Sequence, residues 1–469
     1  MRDCRAGLVN FIVRWADLIA LAVLACAGLV VWLSGGVDGE QFLNADTLYP
    51  ELIQHFETLH FRPPPSNNWF PDVMMHSLLH ATGLVDPADP FTRKLVVGVF
   101  LFVVTAFLIG LYQGVIALYA FLALQLVSAF YHFDTTAHFS LALCTLLILI
   151  ARNVWLRRVL LFLGVYSDLL LLIPIIIYHC LSRGQFASDA TPKSRGADIT
   201  VILIAVSLNI FYSEFSQGLV MLLPVLLGFA IAADLARRWG LVWWFAIGFV
   251  TLLVVTSLVG FVPSRYGAAV ASSVVVVLFW IRPIMARDPY QMKESLSWSW
   301  RIPTATLVYL AVFFSLLDSA GVRQRSEQFA CLATELHKRG ISSVATDHWT
   351  SKPLYYGALQ AATQLTISQV NFEKFRSYMW MAPYEFRGKD TQWAIRNTYA
   401  CERFTTEPKY CGQASWPQLK PAEAVCNIFT LHQYEKKIPV TSGQKLSNKL
   451  DYTMHHFRHY VGVFFDRYL

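Results

Sequence analysis

Two short segments near the start of the chain carry residue types that do proton chemistry. One reads Asn44-Ala45-Asp46-Thr47-Leu48-Tyr49-Pro50, the other Asn67-Asn68-Trp69-Phe70-Pro71-Asp72-Val73-Met74-Met75-His76. A carboxylate within hydrogen-bond reach of a hydroxyl can accept its proton, and an imidazole can assist. Further along stand Tyr131-His132-Phe133-Asp134 with His138, then Asp168, then Tyr212 with Glu214, and Arg265 with Tyr266. Guanidinium grips phosphate through two parallel hydrogen bonds, so Arg265 suits an anionic group. Singly, each has a plain alternative. A carboxylate just beyond a helix is an ordinary cap, an interfacial Tyr is a membrane anchor, and His76 reads equally as a loop histidine or a substrate contact. The set gains meaning only if the fold gathers it around one cavity.

Composition says what must do the gathering. Of 469 residues, 55% are apolar and 15% charged, against about a quarter charged in soluble domains, and mean hydropathy is +0.44. This excludes an ordinary soluble enzyme and a disordered chain. The net charge of +7 is a matter of membrane topology, with no nucleic-acid partner expected, because basic residues mark the cytoplasmic side of membrane proteins. Apolar runs recur at 15–34, 95–111, 114–131, 137–151, 199–213, 217–233, 240–261, 267–283 and 302–319. Arg2, Arg5 and Arg14 ahead of the first run read as the start of an uncleaved helix rather than a removed signal.

The stretch 156–181 sets the parity. As one helix it would invert every later loop. Two short crossings meeting near Ser167 and Asp168 place Arg152, Arg157, Arg158, Arg183, Lys193, Arg195, Arg237, Arg238, Arg282, Arg287, Lys293 and Arg301 inside with the amino terminus. Arg62, Arg93, Lys94 and Arg265 then lie outside. The expected architecture is a polytopic α-helical membrane protein of about eleven crossings over residues 1–320, with a large first external loop at 35–94. Residues 321–469 form an outward α/β domain. Under this topology both Asp46 and Asp72 face outward, as do Asp134, His138, Asp168 and Arg265. Leu48, Leu52, Ile53 and Phe56, near helical spacing, predict a helix lying along the membrane surface, and Pro63 to Pro65 stiffen the link to the second segment.

In the terminal domain, Phe329, Leu332, Ala333 and Leu336 share one helical face, and Gly340 ends the helix. A strand at 341–346, a helix from about Lys352 to Ala362, and strands near 365–370 and 427–432 predict an α/β unit with some parallel sheet. Cys331, Cys401, Cys411 and Cys426 fall here, and an oxidising exterior permits disulfides. Cys401 with Cys411 is the pair to test, beside the alternative of four free thiols. Tyr378, Trp380 and Tyr384 read as packing or as a sugar platform.

In its membrane part the chain resembles the GT-C class of glycosyltransferases, through Asn44-Ala45-Asp46 and Phe70-Pro71-Asp72 in specific motif and through the whole chain in architecture. The resemblance implies an integral membrane enzyme that moves a sugar from a polyprenyl-phosphate donor to a glycan, lipid or protein acceptor on the extracytoplasmic face, with inversion. It implies Asp46 as general base. Asp72, His76, Asp134, His138, Asp168 and Arg265 then bind substrate, Arg265 stabilising the phosphate leaving group. A lone aspartate departs from the Asp-Asp or Asp-Glu pair of some branches, so no cofactor is expected and use of a divalent cation stays open. The expected location is a bacterial inner membrane, amino terminus cytoplasmic and carboxyl-terminal domain periplasmic. An archaeal plasma membrane or the lumenal face of the endoplasmic reticulum fits the same physics. A transporter or flippase of lipid-linked sugars is the main alternative, and an assembly scaffold a third.

Overall fold

The computed structural model describes residues 48–56, 69–131, 136–181, 192–212, 231–232, 248, 264–286, 300–317, 319–372, 376–377, 383–386, 390–398 and 418–438. The apolar run at 15–34, nearly all of 217–233 and 240–261, and Pro63 to Pro65 lie outside the described residues.

The helical part begins with a short helix, α1 (Tyr49–Leu52), which tightens into a 3₁₀ turn at Ile53–His55. A wide turn at Trp69–Val73, entered through a cis Phe70–Pro71 bond, leads into α2 (Met74–Thr82). Then come α3 (Pro90–Gln113), α4 (Val115–Tyr131), α5 (Thr136–Ile150), α6 (Val154–Ser167), α7 (Leu172–Leu181), α8 (Pro192–Tyr212), α9 (Ser264–Ala286) and α10 (Arg301–Leu316). The start of α3 is written in sequence. Asp89 accepts from the Thr92 backbone N–H at 3.0 Å and from its hydroxyl at 2.6 Å, and Pro90 occupies the first position, where a missing N–H costs nothing. Among the described residues α3 is the one helix both long and apolar enough to cross a membrane; α4, α5 and α7 to α10 contain shorter apolar stretches.

These helices share one core. Helix α9 packs on α4, α5 and α7, while α3 packs on α4, α5 and α10. Phe102 of α3 stacks on Phe121 of α4 and Tyr309 of α10, with centroids 5.9 and 4.6 Å away. On the opposite faces large apolar side chains stand exposed at helical spacing: Val96 and Phe100, Ile199 and Leu203, Leu307 and Phe314. Helix α6 is tied to α8 by Asp198, which sits 3.1 Å from Arg157 and 2.9 Å from Arg158.

The helix break expected near residue 168 falls there. Asp168 ends α6 by donating its N–H to Gly164 O, and its side chain accepts from Leu170 N at 2.9 Å, starting the 3₁₀ turn that precedes α7. Segment 48–56 differs from the surface helix expected of it. Leu48, Leu52 and Ile53 are 0, 0 and 4% exposed and join the common core with Phe102 and Tyr309. Their apolar spacing served burial within the protein, beneath elements that come much later in the chain.

The α/β part comprises α11 (Ser319–Lys338), β1 (Ser343–Thr346), α12 (His348–Gln360), β2 (Thr366–Asn371), β3 (Arg376–Ser377), a 3₁₀ turn at Tyr384–Phe386, β4 (Thr391–Asn397), β5 (Glu423–Val425) and β6 (Phe429–Ile438). The sheet runs β3-β2-β1-β4-β6-β5. β1 is parallel to both β2 and β4, and the outer pairings are antiparallel. All four residues of the expected α11 face are buried, packing with Val344, Ile367 and Phe429. Gly340 terminates the helix at φ +68, a conformation glycine adopts freely. At Gly357 α12 crosses α11 so closely that a Cβ would meet the Phe329 backbone at 2.5 Å. A disulfide joins Cys331 of α11 to Cys426, beyond β5. Cys401 and Cys411 lie outside the described residues.

Candidate functional site

The site grows from the first long loop. Glu51 lies in the single turn of α1, and His55, four residues on, ends the 3₁₀ turn that continues it. Helix α2 presents His76 and His80 with the same spacing, and the first turn of α3 presents Arg93. Glu51 is the hub and is fully buried. Its Oε2 lies 2.6 Å from His76 Nδ1. A carboxylate can only accept, so that nitrogen carries the proton. Its Oε1 lies 2.6 Å from Arg93 Nη1. This second contact is ionic without the alignment of a hydrogen bond, and Oε1 keeps acceptor capacity to spare. Arg93 Nη2 donates to His80 Nδ1 at 3.0 Å.

Burying a carboxylate and a guanidinium is tolerable here because each answers the other. Either one alone would carry a large desolvation penalty. The cluster therefore welds α1, α2 and the start of α3 into one piece.

The α/β part closes over this piece. His55 meets the rings of Tyr355 and Tyr356 edge-on, with centroids 5.7 and 5.5 Å away. Phe56 packs on Tyr355 and on Phe386. Gln360, at the end of α12, donates to the Ala88 carbonyl at 3.1 Å. His55 is pushed by burial from 6.5 down to about 4, with Arg93 and His80 adding to the drop against Glu51. Its imidazole is therefore neutral at physiological pH. Burial, reinforced by Glu51, lifts the Tyr356 phenol well above its usual value, so it remains an O–H donor.

Of the residues expected from sequence, three are placed with their side chains. Asp72 is fully buried on the Trp69–Val73 turn. That turn packs against α1, α5 and α6, and Phe70 N donates to Ser167 Oγ at 2.7 Å. His76 follows on α2, paired with Glu51. Asp168 adjoins Ser167 at the end of α6 and serves the local chain. So the fold draws the Asp72 turn, the His76 helix and the Asp168 helix end together. Asp46 and Asp134 lie outside the described residues, and His138 and Arg265 belong to α5 and α9 with side chains outside them.

Glu51, His55, His80, Arg93 and Tyr356 escaped the sequence reading. A signal existed: Glu51 and His55, and again His76 and His80, sit four apart, and Arg93-Lys94 is a charged pair inside the first turn of an apolar helix. Among the described residues no group of three or more His, Cys, Asp or Glu is arranged to hold a metal ion. Compared with protein-family models, curated proteins and solved structures, the chain matches none.

Proposed function

We propose that the chain is an integral membrane glycosyltransferase of GT-C type. It passes a sugar from a polyprenyl-phosphate donor to a glycan, lipid or protein acceptor at the extracytoplasmic face. The observation that carries this reading is the buried Glu51–His76–Arg93 cluster, in a first long loop that also holds Asp46 and Asp72, roofed by an α/β unit. A loop held rigid by buried charges is what catalytic groups need for positioning. Exposed apolar rows on α3, α8 and α10 support contact with lipid, and the Cys331–Cys426 disulfide supports an oxidising compartment for the terminal unit.

Asp46 accepts the acceptor's proton as its oxygen attacks the anomeric carbon. Arg265 stabilises charge developing on the departing phosphate. Asp72, His76, Asp134, His138 and Asp168 surround the substrates. Transfer from radiolabelled polyprenyl-phosphate sugars by purified protein tests this. Turnover should collapse in Asp46→Asn and Arg265→Ala variants that remain folded. Appearance of labelled lipid on the opposite face of a vesicle, with no donor consumed, would establish a transporter instead.

A further inference from the structure

Three polar atoms on neighbouring side chains at the junction of the first loop and the α/β part are buried without completing their hydrogen bonds, His55 lying between Glu51, at 3.9 Å, and the Tyr356 ring, at 5.5 Å between centroids. Tyr356 Oη is buried and makes no hydrogen bond. His55 Nε2 is buried too, and lies 3.9 Å from Glu51 Oε1, beyond bonding distance. Glu51 Oε1 has only the unaligned ionic contact with Arg93. Native proteins seldom leave buried polar atoms in this state, and a polar pair separated by more than 3.5 Å invites an intervening oxygen.

The donor and acceptor inventory defines that oxygen. Tyr356 offers one O–H. His55, neutral, offers one N–H from Nε2 in the tautomer that turns its proton toward Glu51. Glu51 Oε1 only accepts. An oxygen that receives two hydrogen bonds and donates one satisfies all three, which describes a hydroxyl. Arg93 balances the charge of Glu51, so a neutral oxygen suits the junction better than an ion. The surroundings are aromatic: Phe56, Tyr355 and Phe386 form a connected ring cluster beside the three atoms. Apolar rings around a few placed polar groups are the usual lining of a small-molecule site, and the C–H faces of a sugar ring suit them.

We infer that His55, Tyr356 and Glu51 form a subsite for a saccharide hydroxyl, with the α/β part supplying Tyr356 to the first loop. The inference rests on the glycosyltransferase reading for its biological sense and assigns the subsite to the acceptor. A structural water has the same hydrogen-bond chemistry, so the experiment must separate the two.

The test uses the full chain purified in a detergent without a sugar headgroup, titrated with methyl α-D-mannopyranoside, methyl β-D-galactopyranoside and methyl α-D-glucopyranoside. Binding is read by saturation-transfer NMR. Tyr356→Phe removes one oxygen and keeps the ring. At least one glycoside should bind saturably to wild type and about tenfold more weakly to Tyr356→Phe, as for loss of one hydrogen bond. His55→Gln should weaken the same glycoside, and Lys338→Ala, at the exposed end of α11, should leave it unchanged. Equal affinity in wild type and Tyr356→Phe, or no saturable binding to wild type, overturns the inference and leaves water as the occupant. Tyr356-dependent binding in a protein that consumes no polyprenyl-phosphate donor would keep the subsite and remove the transferase reading.

Discussion

Two fully buried carboxylates solve the same problem in opposite ways. Asp347, between β1 and α12, is served by its immediate neighbours: it accepts from Trp349 N at 2.7 Å, Thr350 N at 3.1 Å and Thr350 Oγ1 at 2.8 Å. Every partner lies within three residues and none is charged. Glu51 is served by His76, 25 residues on, and by Arg93 beyond it. One is a helix cap embedded in a sheet domain; the other is a charge network that exists only once distant segments have met. The difference teaches where tertiary structure is essential. The Asp347 turn can form from local sequence, whereas the Glu51 cluster reports that loop, helix α3 and the α/β roof are assembled.

The largest effect that would break this contrast is in the network. Arg93→Met strands Glu51 as an unpaired buried charge and should cost about 3 to 5 kcal/mol, read as a fall in the thermal unfolding midpoint or as loss of folded protein. A cost no larger than that of removing the Asp347 cap would show the network to be ordinary packing.

Next is the disulfide that braces the cap's own domain. Cys331→Ser with Cys426→Ser releases a link spanning 95 residues and should destabilise the α/β part by about 2 to 4 kcal/mol. Limited proteolysis should then cut in the terminal domain first.

Acid titration sharpens the contrast, because the two regions respond with opposite sign. His55 has its folded value lowered from 6.5 to about 4. Between those limits the unfolded chain binds the extra proton, so stability rises with pH and is lost on acidification. Asp347 has its folded value raised by burial from 3.8 to about 6, against its own hydrogen bonds. There the folded chain binds the extra proton, so stability falls as pH rises through that window. At about 1.4 kcal/mol per unit, each contribution is at most about 3 kcal/mol and they largely cancel in the wild type. Unfolding free energy against pH should therefore be flat from 4 to 6.5, climb with pH in Asp347→Asn, and fall with pH in His55→Gln. Parallel curves in both variants would refute the assignment.

The smallest effect is Asp347→Ala. Loss of a helix cap costs about 0.5 to 2 kcal/mol and should leave ligand binding at the first loop untouched, as glycoside titration would verify.

How much of this was readable in the sequence follows the same division between local and distant. The α11 face of Phe329, Leu332, Ala333 and Leu336 and the stop at Gly340 are set by neighbouring residues, so periodicity and turn chemistry found them, while the break at Asp168 followed from the placement of basic residues on either side of it. The start of α12 was harder: Pro353 resembles a first-turn proline, which points to a helix from about Lys352, but the Asp347 cap begins it at His348. Asp72 and His76 were found by residue type, without their surroundings. Glu51, Arg93, His55 and Tyr356 were not found, since no local pattern foretells that a loop histidine will face a tyrosine three hundred residues later. The Cys331–Cys426 bridge stayed hidden for the same reason: spacing alone cannot choose among four cysteines.

We propose that the first loop, roofed by the α/β part, is where a sugar changes carrier. The most direct measurement is single-turnover transfer from a radiolabelled polyprenyl-phosphate sugar, comparing wild type, Asp46→Asn and Tyr356→Phe, each with an unchanged unfolding midpoint. Wild type should transfer the sugar, Asp46→Asn should show no detectable transfer, and Tyr356→Phe should need more acceptor with little change in maximal rate. Undiminished transfer by folded Asp46→Asn, or no transfer by wild type from any donor, would contradict it.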